Sequence, residues 1–313
     1  MRTEPAQFPL RELVVGGKPR ILPAVNSCQA PRQPASGVKG SAFGRLLKEW
    51  RGRRGFSQLG LALAVGTTQR HLSFIESGRT APSRDMILRI AETMDIPLRQ
   101  QNALLLAAGY APVWGERDLA APDLAMVNTA LDYILTQHEP YPAFVVDRRW
   151  NLLRANRGAV KLTEFLTGPS PAEPAAEPAN LAIALMSGEG LRPFIANWEE
   201  VAHYFLHDVQ ADAQADGAPE TLALLNRLLA LPDVAALSES PPHAQTQAPV
   251  LPIQFRRGDT SLSVFTTIAT LGTARDATLQ EVRIECFFPM DETTARLLRA
   301  WQAADEREAS AIP

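Results

Sequence analysis

The sequence predicts a chain of two domains, an all-α domain of five helices followed by an α+β domain. Its 313 residues exceed the usual size of one domain, and an apolar fraction of 46% is enough to fill two cores. Apolar residues recur at helical spacing over residues 41–112, whereas residues 113–313 combine helical patterns with short apolar strands. The formal charge changes sign between the same two parts, which indicates that they have different partners.

Three helices of the first domain are predicted from their apolar stripes and end signals. The first presents to the core Phe43, Leu46, Leu47 and Trp50. Ser83 has the side chain of an N-cap for the fourth helix, whose inward residues are Ile87, Ile90, Ala91 and Met94. Pro97 begins the fifth helix and Gly109 ends it, so we place the domain at residues 41–112.

Residues 56–82 have the spacing of two short helices that cross at a tight turn. Ser57 caps the earlier helix, and Ala62 is the small side chain at the crossing. Gly66 can take the positive φ that ends this helix, and Thr67 or Thr68 caps the next one. The second and third helices of the domain are therefore predicted here.

The later of these two helices has an apolar side and a polar side. Leu72 and Ile75 face inward, which leaves Gln69, Arg70 and Ser73 on the outward face. Gln and Arg side chains match the hydrogen-bonding edges of adenine and guanine in the major groove of DNA. The pattern predicts a DNA-reading element whose base contacts come from these three residues.

VGTTQ at 65–69 and GRTAP at 78–82, with Ser-Gln opening the preceding helix, resemble the phage-repressor (Cro/C1, or XRE) helix-turn-helix family. The resemblance implies that Gln58, Thr68 and Arg79 support the base readers or contact phosphates. It also implies that Arg51 and Glu76 form a structural pair. The alternative interpretation is an ordinary compact helical domain with glycine and alanine at these offsets.

Charge supports a nucleic-acid partner for the N-terminal part. Residues 41–112 contain ten Lys or Arg against five Asp or Glu, and residues 1–40 contain six against two. Residues 113–313 contain fifteen against twenty-seven, a net charge of −12. Because an acidic domain is repelled from DNA, we expect it to have a different task.

Several function classes are not supported by the composition. No apolar run is long enough for a membrane span and no secretory leader is seen, so we expect a cytoplasmic protein. Residues 1–40 read as a mostly disordered arm. Cys28 and Cys286 lack metal or disulfide spacing. His203 and His207 lie four apart, but no third ligand can be assigned, and we expect no metal, no cofactor and no enzymatic activity.

The second domain, at residues 113–313, begins with a predicted helix at 121–139. Two short runs, 143–147 and 150–156, read as a β-hairpin, after which Asn156 caps another helix. A Pro/Ala-rich loop is predicted at 168–178, then helices, with Phe194, Trp198, Val201 and Phe205 on one helical face. Three apolar strands end the domain, as a meander with helices on one face of the sheet.

The hairpin phrase resembles the opening of PAS-type sensor domains. YPAFVVDRRWNLLRAN at 141–156 and NWEEVAHYF at 197–205 further resemble the MmyB-type transcription regulators. The resemblance implies a PAS-like C-terminal domain that binds small molecules, with room for a long apolar chain such as a fatty acid. The chain departs from that family in the Pro/Ala loop and in lacking an arginine near Val209.

Two hypotheses follow for the C-terminal domain. In the first, it senses an apolar ligand in a pocket lined by Phe144, Phe194, Trp198, Phe205, Phe265 and Phe287, and the protein is a homodimer that binds a palindromic operator in double-stranded DNA. In the second, these aromatic residues fill an ordinary core, and the domain serves only for dimerisation or protein docking. An enclosed pocket would favour the first hypothesis, and an exposed apolar patch the second.

Overall fold

The computed structural model describes residues 41–169, 179–238 and 249–310. By their internal contacts these residues divide into two compact units. The N-terminal unit contains residues 41–118 together with Thr273–Gln280, and the C-terminal unit contains the other described residues. The predicted arm at 1–40 and most of the predicted loop at 168–178 lie outside the described residues.

The N-terminal unit contains the five predicted helices. They are α1 (Ala42–Arg53), α2 (Gln58–Ala64), α3 (Gln69–Glu76), α4 (Arg84–Thr93) and α5 (Leu98–Ala107). The hydroxyls of Ser57, Thr68 and Ser83 each accept a backbone N–H in the first turn of the following helix, as the sequence predicted. Gly66 has φ of +70°, the left-handed backbone that closes α2 before the turn.

The core of this unit brings α1 and α3 into backbone contact. Leu47, Leu61, Leu72 and Ile87 are fully buried there. At Gly44 a Cβ atom would lie 2.2 Å from the Glu76 carbonyl oxygen, so only glycine permits this approach. The position of α3 therefore depends on a residue in α1 that has no side chain.

The N-terminal unit extends beyond residue 112, where the sequence placed its end. The Asn102 side chain accepts the backbone N–H groups of Val113 and Trp114 at 3.1 Å, and the Trp114 indole donates to Gln101 at 2.8 Å. These bonds hold the segment after α5 against that helix. Asn102 and Gln101 are buried polar residues in a helix, and buried polar groups need hydrogen-bond partners. Helical periodicity considers only the apolar residues, so it does not predict these contacts.

The C-terminal unit begins with a helix and a hairpin and continues through a helical layer. Its elements up to residue 238 are α6 (Ala125–Gln137), β1 (Ala143–Val146), β2 (Leu152–Ala155), α7 (Arg157–Thr167), α8 (Leu181–Met186), α9 (Trp198–Asp216), α10 (Pro219–Leu229) and α11 (Pro232–Ser238). Asn156 caps α7, as predicted from the sequence. The remaining elements of the C-terminal unit are β3 (Ile253–Arg257), β4 (Thr260–Thr270), β5 (Arg283–Pro289) and α13 (Glu292–Ser310), and α12 (Ala277–Glu281), which lies between β4 and β5 in the chain, belongs to the N-terminal unit up to Gln280.

The described strands form one antiparallel five-stranded sheet in the order β2-β1-β5-β4-β3. The last strand of the chain thus lies between β1 and β4. We call the face that carries Phe144, Val264 and Phe287 the inner face, because all three are buried in the core shared with the helices. The opposite face is the outer face.

On the outer face, α6 packs over β1 and β2. Arg154 of β2 is buried and pairs with Asp132, and its guanidinium also donates to the Asn128 side chain at 2.6 Å. His138, after α6, has a ring nitrogen 2.8 Å from the Phe287 carbonyl oxygen. Burial lowers the pKa of His138, and this backbone hydrogen bond opposes the effect.

Two predictions about helices need correction. The helix expected to carry Phe194 and Trp198 on one face begins only at Trp198, and Phe194 belongs to a separate 3-10 turn, Arg192–Phe194. The intervening backbone is instead bound to the sheet, because Ala196 donates to the Gln254 carbonyl oxygen at 2.7 Å. Helices α12 and α13 were not predicted; α12 interrupts the expected meander between β4 and β5.

Candidate functional site

The outward face of α3 is accessible in the N-terminal unit. Gln69 and Arg70 are exposed and Ser73 is half-buried, whereas Leu72 and Ile75 are fully buried. The Thr68 hydroxyl accepts the His71 N–H at 3.1 Å and caps the helix. The side chain of Thr68 is thus oriented by its hydrogen bond to the backbone. The predicted base readers Gln69, Arg70 and Ser73 lie on the outward face, where they could enter a groove of DNA.

An aromatic residue that the sequence analysis missed orders two cations on this face. The Phe74 ring has the Arg70 guanidinium 5.3 Å from its centroid and the Arg79 guanidinium at 5.6 Å. The backbone N–H of Arg79 also donates to the Phe74 carbonyl oxygen at 2.8 Å. Arg70 and Phe74 are four residues apart, and this spacing on a helix could have predicted the contact from the sequence. Arg70 of α3 and Arg79, which follows the helix, are thereby brought together at the Phe74 ring.

Behind this face, Glu76 accepts hydrogen bonds from two residues of the preceding helices. Arg51 Nε lies 2.6 Å from Glu76 Oε1, and Gln58 Nε2 lies 2.7 Å from Oε2. Arg51 also donates to the Phe56 carbonyl oxygen at 2.9 Å. The network joins α1, α2 and the end of α3, so it sets the orientation of the exposed face. Gln58 takes part through its amide group, as a supporting residue.

The aromatic residues proposed for a ligand pocket are divided by the sheet. Phe144 and Phe287 meet edge to face on the inner face at 5.6 Å, and Trp198, Phe194 and Phe205 pack against the same core. Phe265 pairs in register with Phe288, and their rings stack at 5.4 Å. Since Phe287 and Phe288 alternate along β5, Phe265 lies on the outer face, away from the other five.

Two aromatic side chains of α9, those of Trp198 and Phe205, have different surroundings. The Trp198 indole donates to the Leu185 carbonyl oxygen at 3.0 Å, and the Arg192 guanidinium lies 4.0 Å above its ring. Two turns further along α9, the Phe205 ring lies 4.5 Å from the ring of Trp150. Trp198 is therefore anchored by a hydrogen bond, and Phe205 packs against the core and the Trp150 ring.

Charged groups also lie on the inner face, on β5. Arg283 forms two hydrogen bonds of 2.6 Å with the carboxylate of Asp212 from α9. Glu285, two residues further along, is half-buried and bonds to the side chain of Thr266. Burial raises the pKa of Glu285 to about 7, and the Thr266 hydrogen bond and the charge of Arg283 oppose that rise. Neither residue is expected from the sequence, because the pattern of residues in β5 predicts an apolar strand.

The described part of the chain contains no group of three His, Cys, Asp or Glu side chains arranged to hold a metal ion. His207 is exposed beside Asp208, and His203 lies against Tyr204. Over the same residues, no helix combines the length and the apolar character that crossing a bilayer requires.

Comparison with known families agrees with the division into two units. Residues 47–101 match the helix-turn-helix family, and residues 127–300 match the family described as MmyB-like transcription regulator ligand binding domain. Neither family is enzymatic. No curated protein matches the chain.

Among solved structures, the chain is similar to an RNA-binding light-oxygen-voltage receptor at 12% sequence identity. The match covers 87% of this chain and 66% of the receptor, with a TM-score of 0.25. A similarity this low carries no argument about fold or function.

Proposed function

The chain belongs to the family of MmyB-like transcription regulators, and from this membership we propose that it is a homodimeric operator-binding protein controlled by an apolar small molecule. DNA binding and the presence of a ligand-binding domain follow from the two matched families. The proposal adds the base readers, the palindromic operator and the character of the ligand, an amphiphile with a fatty-acid-like chain.

For base reading, the proposal rests on Gln69, Arg70 and Ser73, which α3 presents outward. Their side chains are long or polar enough to reach base edges from a helix placed in the major groove. Gln58 and Thr68 make internal hydrogen bonds, which suits supporting roles, and Arg79 lies beside Phe74 close to Arg70. One recognition helix buries little surface, so two copies are expected on a two-fold symmetric operator.

For the ligand, the observation that carries the proposal is the exposure of Ile268 on the inner face. Leu262 and Val264 precede it on the same face of β4 and are buried, whereas Ile268 is 48% exposed. An apolar side chain left uncovered beside an aromatic core can be covered by an acyl chain or by another protein, and we prefer the acyl chain because residues 127–300 match a ligand-binding domain.

The connection between β4 and β5 offers a route from ligand to DNA. Its residues, Thr273–Gln280, belong to the N-terminal unit by their contacts. Ala277 donates to the Gly115 carbonyl oxygen at 2.8 Å, and the Gln280 side chain accepts the N–H of Leu98, at the start of α5, at 2.8 Å. A ligand that displaces β4 or β5 would therefore pull on a segment bonded within the DNA-binding unit.

The alternative function, a dimerisation or docking module, is favoured by a different surface. Met126 and Tyr133, seven residues apart on α6, are 82% and 65% exposed, with Ile134 partly exposed beside them. Such a stripe on a helix is typical of a surface that contacts another protein. It is compatible with the sensor proposal if α6 contacts the second copy.

Reciprocal titration tests the proposal. The operator is first selected from random DNA, and its affinity is measured with and without C8–C16 amphiphiles that carry different head groups. We expect a change of roughly 5- to 150-fold, and operator DNA must change amphiphile affinity by the same factor. Footprints should show two half-sites separated by about 34–36 Å or a multiple of that distance. If no amphiphile binds, the sensor proposal fails and the docking function replaces it.

A further inference from the structure

The inner face of the sheet is covered at one end and open at the other. Ala155, Phe144, Glu285 and Ile268 lie in one row across β2, β1, β5 and β4. Ala155 and Phe144 are buried, Glu285 is half-buried, and Ile268 is exposed. The carboxyl group of Glu285 is thus placed at the boundary between the core and the opening, with an apolar side chain on either side.

A carboxyl group in this position has one polar partner among its neighbours on the sheet. Thr266, diagonal to Glu285 on the adjacent strand, bonds to it through its side chain. The flanking Phe144 and Ile268 offer no hydrogen bond. A hydroxyl supplies one of several hydrogen bonds that a carboxylate can accept, so Glu285 has acceptor capacity left for a ligand that donates hydrogen bonds.

The cation nearest to Glu285 on the sheet already has an acidic partner. Arg283, on the same strand and face, is neutralised by its two hydrogen bonds with Asp212 of α9. Asp208, one turn earlier on α9, is exposed, lies 3.8 Å from a ring nitrogen of His207 and is within electrostatic range of Arg283. Arg283 is thus occupied by Asp212, and Glu285 forms no ion pair among the described residues, so it is the acid open to a cation. A carboxylate head group would meet repulsion here, and a cation would meet attraction.

An aromatic residue, Trp150, lies beside Arg283. Trp150 is buried, contacts Phe205, and has the Arg283 guanidinium 5.9 Å from its ring centroid. Its φ of +63° is a strained backbone conformation for a bulky residue. Its indole nitrogen is buried without a hydrogen-bond partner in the described structure. The strain is offset by packing that brings the indole to the inner face, where aromatic rings stabilise nearby cations.

We propose that the open end of the inner face binds the ammonium head group of an amphiphile, which donates hydrogen bonds to Glu285 while the chain covers Ile268 and contacts Phe205. This inference rests on the proposed sensor function and names the ligand class for the same site. Burial of Glu285 in an apolar row makes its ionised form costly, and an ammonium ion compensates that cost as no neutral or anionic head group does.

Three probes of equal chain length separate the possible head groups. Dodecylammonium, dodecanol and laurate are titrated, below their micelle concentrations, into the full-length protein, and binding is followed by calorimetry at pH 8. We expect wild type to bind dodecylammonium roughly tenfold or more tightly than dodecanol, since a hydrogen bond to a charged partner is the strong one. Laurate should bind most weakly.

Matched variants assign the preference to Glu285. Glu285→Gln keeps the side-chain volume and should reduce dodecylammonium affinity to that of dodecanol, with dodecanol itself little changed. Glu199→Gln, which removes the charge of an exposed acid in the first turn of α9, should leave all three affinities as in wild type. An equal loss in both variants would mean that overall charge is responsible, and would overturn the assignment.

Wild-type protein gives a second measurement that does not depend on the variant folding. Between pH 8 and pH 5.5, dodecylammonium affinity should fall by up to about tenfold per pH unit as Glu285 takes up a proton, and dodecanol affinity should stay constant. Stronger binding of laurate than dodecylammonium would refute the ammonium inference and leave the sensor function standing. Absence of binding by all three probes would refute both.

Discussion

Arg51 donates to both oxygens of the Glu76 carboxylate, and Gln58 donates to one of them, so a single acid joins three helices behind the exposed face of α3. The Arg51 and Glu76 side chains are 15% and 5% exposed. At this burial the loss of either partner leaves the other charged and largely desolvated. The pair is therefore expected to affect the orientation of α3 as well as the stability of the unit.

Replacing Arg51 or Glu76 alone with Ala should destabilise the N-terminal unit by about 3 kcal/mol, because the surviving charge loses its partner. Hydrogen exchange of α1 and α3 amides in the full chain measures the effect. Arg53→Ala is the matched control, since Arg53 pairs with Glu49 on the exposed side of α1 and should cost less than about 1 kcal/mol. Unchanged exchange in both single variants would contradict the assigned role.

Arg70→Ala should weaken operator binding by about 1–3 kcal/mol and relax the preference at one base pair in each half-site, because a bidentate contact to guanine is lost. Competition binding against operators substituted at single positions measures both effects. Arg89→Ala removes an exposed cation from α4 and serves as the control for loss of charge. A loss that is equal on every sequence would reassign Arg70 to a phosphate contact.

Gln280→Ala removes the side chain that accepts the N–H of Leu98. Because Pro97 offers α5 no side-chain cap, this loss should cost the N-terminal unit about 0.5–2 kcal/mol. It should also reduce the effect of ligand on operator affinity, while ligand affinity measured without DNA stays the same. Gln254→Ala, at an exposed position of β3, is the control. Full coupling in the Gln280 variant would exclude this segment as the route.

Glu285 makes the stability of the C-terminal unit depend on pH. Burial raises its pKa from 4.5 to about 7, so the folded state holds a proton that the unfolded state releases between these values. The contribution of Glu285 to stability is therefore largest below pH 4.5, declines as pH rises to 7, and is constant above that. Arg283, which is paired with Asp212, is the charged group that acts on Glu285, and Glu285 in turn raises the pKa of the neighbouring Cys286 thiol.

Glu285→Gln should remove this pH dependence, and relative to wild type it should gain up to about 3 kcal/mol between pH 4.5 and pH 8. Urea unfolding at a series of pH values measures the difference, with Glu199→Gln as the control. A stability difference between Glu285→Gln and wild type that is the same at every pH would show that the carboxyl group titrates normally in the folded protein.

Local chemistry allowed the sequence to predict much of the N-terminal unit. A cap such as Ser57 or Thr68 acts within three residues of its own position, and Gly66 marks a positive φ without reference to distant residues. Helical periodicity then assigns inward and outward residues. Two family resemblances, carried by the motifs at 65–82 and 141–205, supplied the class of protein, and both families were confirmed.

What the sequence left undecided depends on contacts between distant residues. Alternation along β4 divides its residues into two faces but cannot say which face the helices cover, and so Phe265 was grouped with Phe287. The strand order brings β5 between β1 and β4, and only this order places Glu285 between Phe144 and Ile268. Likewise, nothing near Gln280 in the chain indicates that it caps α5, because a hydrogen bond across 182 residues exists only once tertiary packing has formed.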